Sequence, residues 1–444
     1  MNPTTLFTAV WGFSYTAPEG LFSGVRMTRV IVKGGVPLAG EVRVGGSKNA
    51  ALPLLFAGIL TGEECVFSSL PRVSDVLRAL EILRAMGARI RFLESGEVSV
   101  DYSEVRPILP PPHLTCMIRG STYLLGSMLG RFGEAKLGGA GGCDFGRRPI
   151  DQHLLGFSAL GAAINEGEVL TVSAPNGLKG ADFTLAMPSV GATANLVLAA
   201  VTASGETVIR NAAAEPHVVA LCEFLCAAGA RMEGIGTQTV RVFGVSRLHG
   251  IAHRIIPDMI EAGTYLCAGM ACGGRVTVSE VRPAHLSALL ACFREMGGAV
   301  EEGSDWVGVS CLGKYRNIAV ETAPYPGFPT DLHPQMTALF ALGTRATGEG
   351  RIRERIWQER FRYVEGLCKM GADITINGEY ATVRPALLRA TTVRSPDLRG
   401  GAALLLAALA TAGESEITNA ATLGRGYEHL EEKLIGLGAR VKIH

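Results

Sequence analysis

Residues 45–51 (GGSKNAA) have a composition suited to phosphate binding. Small residues lead directly into an apolar helix pattern, and Lys48 lies at the junction. Backbone N–H groups at a helix N-terminus, together with one ammonium group, can hold a phosphate. The segment lacks the GxxxxGK[ST] spacing of a P-loop, so it predicts an anion site without specifying a nucleotide-binding fold.

Residues 138–151 (GGAGGCDFGRRPID) combine a thiol with two arginines. Their many glycines predict a long mobile loop. The cations of Arg147 and Arg148 favour the thiolate of Cys143 and should lower the pKa of this thiol. A small apolar cysteine that serves only packing belongs in a core. Cys143 is therefore predicted to act as an acid or a nucleophile near neutral pH.

Acids and arginines also precede several apolar helix patterns in the second half of the chain. They are Asp258 and Glu261 (PDMIEAGT), Asp331 (FPTDLHPQ), Asp397 and Arg399 (PDLRGGA), and Arg425 (GRGYEHL). Helix capping is the expected role of Asp258 and Glu261. Arg425 needs another explanation, because an arginine at a helix N-terminus opposes the helix dipole. Equivalent positions in a repeated architecture can converge on one cleft.

The composition is that of a globular protein. A chain of 444 residues, 48% of them hydrophobic, is long enough for two or three domains. The formal charge of +1 argues against a nucleic-acid or polybasic membrane surface. Apolar runs such as residues 400–413 fall short of the roughly 20 residues that span a bilayer. Residues 1–29 are predicted to be an N-terminal extension, and they lack the pattern of a signal peptide.

The ten cysteines have no CxxC pairs and no metal-type spacing with histidine. Neither a zinc site nor a disulfide framework is predicted, and no metal or cofactor is expected. The cytoplasm is the predicted compartment.

One sequence motif occurs six times: a predicted helix ends in Gly-Ala or Gly-Gly and is followed by a short apolar strand. The glycines are Gly87, Gly161, Gly229, Gly297, Gly371 and Gly438. Their spacing of 67 to 74 residues indicates an internal duplication. Each glycine is expected to cap a helix in a left-handed conformation. The repeat is predicted to be a βαβαββ unit, with helices as apolar as residues 402–412 buried within the sheets. Six such units could form one ring or two sets of three.

Six segments resemble, in order and spacing, hallmark segments of the UDP-N-acetylglucosamine enolpyruvyl transferases. They are SKNAALPLLFAGIL, GGCDFGRRPIDQH, PSVGATAN, FPTDLHPQ, PDLRGGAALLLAAL and GRGYEHLEEKL. The resemblance runs from about residue 31 to the C-terminus. It implies an α/β fold of two inside-out α/β barrel domains, each built from three pseudo-symmetric repeats of about 70 residues. One domain would be discontinuous, with residues 30–47 and 257–444, and residues 48–256 would form the domain that carries the cysteine loop.

The implied reaction joins the 3-hydroxyl of UDP-N-acetylglucosamine to C-2 of phosphoenolpyruvate and releases phosphate, the first committed step of peptidoglycan synthesis. C-3 must gain a proton and the hydroxyl must lose one, so the site needs an acid and a base. The resemblance assigns the acid to Cys143 and the base to Asp331. Cations that match the positions holding the phosphate are Lys48, Arg148 and Arg425, and the basic cleft is completed by Arg119, Arg360 and Arg399.

Further substrate-binding positions implied by the resemblance are Asn49, Pro149, Ile150, Asp151, Gln152, Met187, Pro188, Ser189, Val190, Gly191, Ile356 and Asp397. The chain departs from the family pattern at Met187-Pro188, Tyr123 and Gln358-Glu359, which puts individual nucleotide contacts in doubt but removes no catalytic group. Partners are expected to be the two small-molecule substrates, with neither nucleic acid nor membrane, and the protein is expected to be a monomer.

Two other functions remain open. The shikimate-pathway enolpyruvyl transferase shares the fold and the donor but lacks the cysteine loop. A non-catalytic repeat protein, or a silent second copy of the enzyme, belongs to another class. Retention of Lys48, Cys143, Asp331 and Arg425 together favours an active enzyme.

Overall fold

A computed structural model describes residues 28–141 and 149–444 of the chain. Its α-helices are α1 Lys48–Ala57, α2 Ser74–Ala85, α3 Pro112–Thr115, α4 Tyr123–Phe132, α5 Asp151–Ala159, α6 Val190–Ala200, α7 Pro216–Ala227, α8 Met259–Cys272, α9 Ser287–Met296, α10 His333–Ala341, α11 Val364–Lys369, α12 Leu398–Ala410 and α13 Leu430–Gly436. Short 3₁₀ helices occupy Gly58–Leu60, Arg119–Thr122, Pro283–Leu286 and Ala420–Arg425. No helix in these ranges is both long enough and apolar enough to cross a membrane.

The strands of the first half are β1 Arg29–Gly34, β2 Gly40–Arg43, β3 Glu64–Ser68, β4 Arg89–Phe92, β5 Val98–Asp101, β6 Glu134–Leu137, β7 Ala163–Glu166, β8 Leu170–Ser173, β9 Asp182–Thr184, β10 Glu206–Arg210, β11 Arg231–Glu233 and β12 Thr239–Phe243. Those of the second half are β13 Ala252–Arg254, β14 Arg275–Ser279, β15 Ala299–Glu302, β16 Trp306–Ser310, β17 Tyr315–Arg316, β18 Ala319–Glu321, β19 Ala346–Thr347, β20 Gly350–Arg353, β21 Asp373–Asn377, β22 Tyr380–Arg384, β23 Thr392–Arg394, β24 Gly413–Thr418 and β25 Arg440–Ile443.

Five four-stranded sheets share one pattern, in which a parallel pair at one edge is followed by two antiparallel pairings. Their orders are β13-β3-β5-β4, β9-β10-β12-β11, β2-β14-β16-β15, β18-β20-β22-β21 and β23-β24-β1-β25. A sixth sheet has the order β6-β8-β7, and β17 pairs with β19. The predicted βαβαββ repeat is therefore confirmed.

The first strand of the chain completes the last repeat. Val30 of β1 pairs with Ile417 on one side and with Ile443 on the other, so β1 takes the place that the final strand of a repeat occupies elsewhere. In the same way, β13 supplies the parallel edge strand beside β3, which lies far earlier in the chain. Both sheets are thus closed by segments distant in sequence.

The six repeat glycines adopt the left-handed backbone that the sequence predicts. Their φ angles are +110° at Gly87, +90° at Gly161, +110° at Gly229, +97° at Gly297, +101° at Gly371 and +88° at Gly438. Glycine carries no Cβ to oppose this conformation, so each helix can end in a sharp turn into the following strand.

Buried apolar side chains form two separate clusters. One contains residues of 30–44 and 260–443, and the other contains residues of 50–256. Each cluster surrounds helices without a polar face, and α12 is buried from Leu398 to Leu409. An isolated helix of this kind would leave apolar surface in water, so it is stable only inside a shell of sheets. Of the two arrangements left open by the sequence, two sets of three units is the observed one.

The chain passes between the two clusters at adjacent segments, residues 45–47 and 256–258, here called the crossing segments. Gly46 and Pro257 form an antiparallel bridge, and Ser47 N donates to Ile256 O over 2.7 Å. A Cβ on Gly46 would lie 1.9 Å from Ser69 O, so only glycine fits there. The two passages of the chain are therefore held side by side.

Candidate active site

Lys48 and Arg425 meet at Asp75, a residue that sequence reasoning missed. Asp75 lies in the first turn of α2, and its side chain is 6% exposed. Lys48 Nζ lies 3.1 Å from Oδ2, and Arg425 Nε lies 2.9 Å from Oδ1. Burial acts to raise the pKa of Asp75, but the two cations outweigh it and lower the pKa below its ordinary value. In the sequence, Asp75 has only the signature of an acid at a helix start.

Arg425 does not lie at a helix N-terminus, contrary to the prediction. Arg425 ends the 3₁₀ helix Ala420–Arg425, and α13 begins only at Leu430. A cation at a helix C-terminus agrees with the helix dipole. The position of Arg425 is explained instead by its contact with Asp75.

Asp331 lies between two arginines just before α10. Arg360 Nη2 donates to Oδ1 over 2.8 Å, and Arg399 Nε donates to Oδ2 over 3.1 Å. Both arginine side chains are buried, whereas that of Asp331 is 28% exposed. Burial acts to raise the pKa of Asp331, but Arg399, Arg360 and Lys48 together hold it far below its ordinary value. The influence of Lys48 reflects the closeness of this cluster to the one at Asp75.

Helix N-termini from both cores converge at these clusters. Asp258 caps α8 by accepting from Ile260 N over 2.8 Å and Glu261 N over 3.1 Å, as predicted. The N–H of Lys48 also donates to Asp258, over 3.3 Å, which joins the start of α1 to the start of α8. The Asp258 carboxylate therefore accepts from N–H groups at both helix N-termini, where the helix dipole favours a negative charge.

Glu261 is not a cap, contrary to expectation. Its Oε2 accepts from Gly45 N over 2.8 Å, and its Oε1 lies 2.6 Å from Lys433 Nζ. The carboxylate is buried because it fastens the first crossing segment to α13.

Asp397 caps α12 by accepting from Arg399 N over 2.9 Å and Gly400 N over 3.0 Å. Its side chain is buried, and the cap fixes the first turn of α12 from which Arg399 reaches Asp331.

Predicted nucleotide-sugar positions come together at the starts of α5 and α6. Gln152 Oε1 accepts from Ala186 N over 2.8 Å and from Met187 N over 3.4 Å, which ties α5 to the segment before α6. Ser189 caps α6 through a bond from Ala192 N of 3.3 Å.

His153 packs beneath these positions. A Cβ on Gly191 would lie 2.9 Å from its ring, and its Nδ1 lies 3.0 Å from Asn195 Nδ2. Burial, followed by the charge of Arg119, lowers the pKa of His153 to about 4. The ring is therefore neutral where these segments meet.

The other predicted residues occupy several elements. Asn49 lies in the first turn of α1, Arg119 begins the 3₁₀ helix Arg119–Thr122, and Val190 begins α6. Exposed Pro149 and half-exposed Ile150 precede Asp151, the exposed first residue of α5, and Pro188 precedes Ser189. Half-exposed Ile356 follows β20, the strand that contributes Ile352 to the other apolar cluster. Cys143, Arg147 and Arg148 lie outside the described residues.

His217 is a further cleft residue that sequence reasoning missed. It lies in the first turn of α7, and burial lowers its pKa against the opposing charges of Glu215, Asp331 and Asp258. Within residues 28–141 and 149–444, no group of three or more His, Cys, Asp or Glu side chains is arranged to hold a metal ion.

Residues 32–434 match the family model described as EPSP synthase (3-phosphoshikimate 1-carboxyvinyltransferase). The UDP-N-acetylglucosamine 1-carboxyvinyltransferase of Halothermothrix orenii is 43% identical over 416 residues, which cover 94% of this chain and 99% of that protein. The chain belongs to the UDP-N-acetylglucosamine 1-carboxyvinyltransferases. UDP-N-acetylglucosamine 1-carboxyvinyltransferase 2 of Clostridium acetobutylicum is 40% identical over 418 residues, which cover 94% of this chain and 99% of that protein.

Solved structures agree with this family. The crystal structure of the enolpyruvyl transferase NikO from Streptomyces tendae has a TM-score of 0.84 at 26% identity, covering 93% of this carboxyvinyltransferase and 98% of NikO. An EPSP synthase structure from Acinetobacter baumannii has a TM-score of 0.70 at 20% identity, with 93% and 99% coverage, and shares the fold. The expected fold of two inside-out α/β domains with three repeats each is confirmed.

Proposed function

We propose that this enzyme transfers the enolpyruvyl group of phosphoenolpyruvate to the 3-hydroxyl of UDP-N-acetylglucosamine and releases phosphate, the first committed step of peptidoglycan synthesis. One observation carries the proposal: two pairs of cations lie close together, each on one carboxylate. Lys48 and Arg425 contact Asp75, and Arg360 and Arg399 contact Asp331. Lys48 is also near enough to Asp331 to lower its pKa. Phosphoenolpyruvate presents a phosphate and a carboxylate, so it needs cations at two points. The names of the relatives support the choice of acceptor.

Asp331 is the proposed base for the sugar hydroxyl. Its ion pairs with Arg360 and Arg399 keep it ionised but also make it a weak base, because they hold its pKa far down. An anionic substrate that draws the two arginines towards itself would raise this pKa and strengthen the base at the moment of reaction. The partial exposure of Asp331 leaves room for a hydroxyl to approach.

In the addition step, the hydroxyl oxygen bonds to C-2 of phosphoenolpyruvate while C-3 takes a proton. The resemblance implies that Cys143 donates the proton to C-3. In the elimination step, C-3 returns a proton to the Cys143 thiolate, and the double bond between C-2 and C-3 forms again. The bond between C-2 and the phosphate oxygen breaks, and its electron pair leaves with the phosphate. Lys48 and Arg425, with Arg148, would stabilise the charge on the departing phosphate.

The nucleotide sugar is proposed to lie along the starts of α5 and α6, where Gln152 and Ser189 hold the backbone. The proposed domains are residues 30–47 with 257–444, and residues 48–256. The two apolar clusters and the Gly46–Pro257 bridge support this division. A cytoplasmic location and a monomeric state stay predictions.

Phosphate release tests the function. The protein is mixed with phosphoenolpyruvate and either UDP-N-acetylglucosamine or shikimate 3-phosphate, the acceptor suggested by the family model's description. We expect release with the first acceptor only, and its loss in Asp331→Asn. Release with shikimate 3-phosphate alone would assign the chain to the other reaction.

A further inference from the structure

Glu354, at the end of β20, joins two segments of the candidate active site. Its side chain has no solvent exposure. Oε2 accepts from Thr330 Oγ1 over 2.9 Å, and Oε1 accepts from Ile356 N over 2.7 Å and from Trp357 N over 3.0 Å. Thr330 directly precedes Asp331 in the chain. One carboxylate thus contacts the loop of the proposed base and the segment of a proposed nucleotide-sugar contact.

A buried histidine lies beside Glu354 without a hydrogen bond to it. His333 Nε2 lies 3.4 Å from Glu354 Oε2, and Tyr363 OH lies 3.2 Å from His333 Nδ1. Thr337 Oγ1 extends this chain of polar groups, 2.6 Å from Tyr363 OH. Burial, reinforced by the charge of Arg360, lowers the pKa of His333, so the ring is neutral.

The same two segments are also tied by Arg360, which donates to Asp331 over 2.8 Å. Residues 330–331 and 354–360 are therefore attached at two adjacent points, Thr330 to Glu354 and Asp331 to Arg360. The bond from Thr330 to Glu354 fixes the backbone that carries Asp331, while Arg360 and Arg399 hold its carboxylate. Position and direction of the base therefore depend on different contacts.

Stability alone is a weak explanation for Glu354. Burying a carboxyl group costs free energy that its hydrogen bonds offset only in part. Burial raises the pKa of Glu354, against the opposing effect of its bonds from Thr330 and the backbone of Ile356 and Trp357. An apolar side chain of similar size would avoid this cost, but it could not hold the two segments together.

We propose that Glu354 is a positioning residue that sets Asp331 and the segment of Ile356 in register, so that the base meets the sugar hydroxyl. The inference rests on the proposed function. Glu354 touches no substrate in this role. It acts through Thr330 on one side and through the backbone of residues 356–357 on the other.

Steady-state kinetics of Glu354→Gln tests this role. An amide keeps the shape of the side chain but has one acceptor oxygen instead of two. Its N–H group must therefore face either Thr330 or the backbone N–H groups of residues 356–357. We expect kcat to fall about 10²-fold and KM for UDP-N-acetylglucosamine to rise about tenfold, with KM for phosphoenolpyruvate within about twofold of wild type. The matched control is Glu379→Gln. The Glu379 side chain is half exposed and binds Arg353, and its backbone oxygen, which accepts from Glu354 N, is unchanged.

Thr330 gives a second test that does not depend on the folding of Glu354→Gln. Thr330→Val removes the hydroxyl that joins the two segments, and Thr330→Ser keeps it. We expect kcat to fall at least about tenfold in the valine variant and to stay within about twofold in the serine variant. Equal kcat values in both variants would overturn the proposal. So would a Glu354→Gln enzyme whose kcat falls only with its folded fraction while both KM values stay unchanged.

These outcomes separate the inference from the function it rests on. A wild-type protein that releases no phosphate with either acceptor overturns both. An active wild type with unmoved Glu354 and Thr330 variants overturns the positioning role alone.

Discussion

Arg425 reaches from one apolar core to a buried carboxylate of the other, with its Nε 2.9 Å from Asp75 Oδ1. The two residues are 350 positions apart in the chain. Lys48 completes the group from the start of α1. Asp75 therefore holds, in one place, two cations that the proposed function assigns to the phosphate.

Asp75→Asn should impair both catalysis and stability. The amide keeps the volume of the side chain, but it no longer orients Lys48 and Arg425 by charge, so kcat/KM should fall at least about tenfold. Phosphate release and urea unfolding measure the two effects. Asp305→Asn, at an exposed turn, is the control. Unchanged kcat/KM in a folded Asp75→Asn protein would show that the two cations need no anchor.

His153 should make the protein less stable in weak acid. Its pKa is about 4 in the folded state against 6.5 as the ordinary value, so the unfolded chain takes up the proton first as the pH falls. The neutral ring makes its full contribution to the free energy of unfolding above pH 6.5. This contribution falls as the pH drops towards about 4, by about 3 kcal/mol at most.

Urea unfolding of wild type and His153→Gln at several pH values in this window measures the effect. The variant should show a shallower loss of stability with acid, because glutamine does not titrate. If the free energy of unfolding changed with pH equally in the two proteins, the loss of stability in acid could not be assigned to His153.

Glu261 should stabilise the connection between the two cores. Glu261→Ala removes the acceptor of Gly45 N and leaves Lys433 without its buried partner, at a cost of about 3 to 5 kcal/mol. Glu301→Ala is the control, because its ion pair with Arg275 is exposed and should contribute less than about 1 kcal/mol. The denaturant concentration at the midpoint of unfolding is measured for both variants. Similar midpoints would argue against the role of Glu261 in fastening the first crossing segment to α13.

Cys143 should be the thiol that reacts with fosfomycin, a small phosphonate epoxide that can occupy the phosphate site. Mass spectrometry should find one adduct, on the peptide containing Cys143, and more of it when UDP-N-acetylglucosamine is present. Burial raises the pKa of Cys222 and Cys272 to about 12 and that of Cys292 to about 11, so these thiols should stay unmodified.

Exposed Cys116 provides the control for this experiment. It lies beside Gly139, four residues before Cys143 in the chain, since a Cβ on Gly139 would be 3.0 Å from the sulfur of Cys116. Cys116→Ser should leave labelling unchanged, whereas Cys143→Asp should abolish the adduct and keep some turnover through a substitute acid. An adduct on Cys116, or full activity with excess inhibitor and Cys143 unmodified, would refute the role of this thiol.

The sequence by itself determined the features that depend on neighbouring residues. Gly87 and its five counterparts show the repeat because a left-handed helix end is a local requirement. The capping role of Asp258 was predicted for the same reason. The lack of a polar face on α12 predicted a buried helix, since that property is also written in consecutive residues.

Tertiary structure alone decided which distant groups meet. Asp75 and Glu354 carry no sequence signal beyond that of ordinary acids near element ends, and they matter because folding brings them to Lys48, Arg425 and Thr330. Glu261, expected to be a cap, was assigned the wrong role because its partner Lys433 lies 172 residues away. The family resemblance predicted which residues belong to the site, but contacts between charges depend on distance and burial, and only the packed chain sets those.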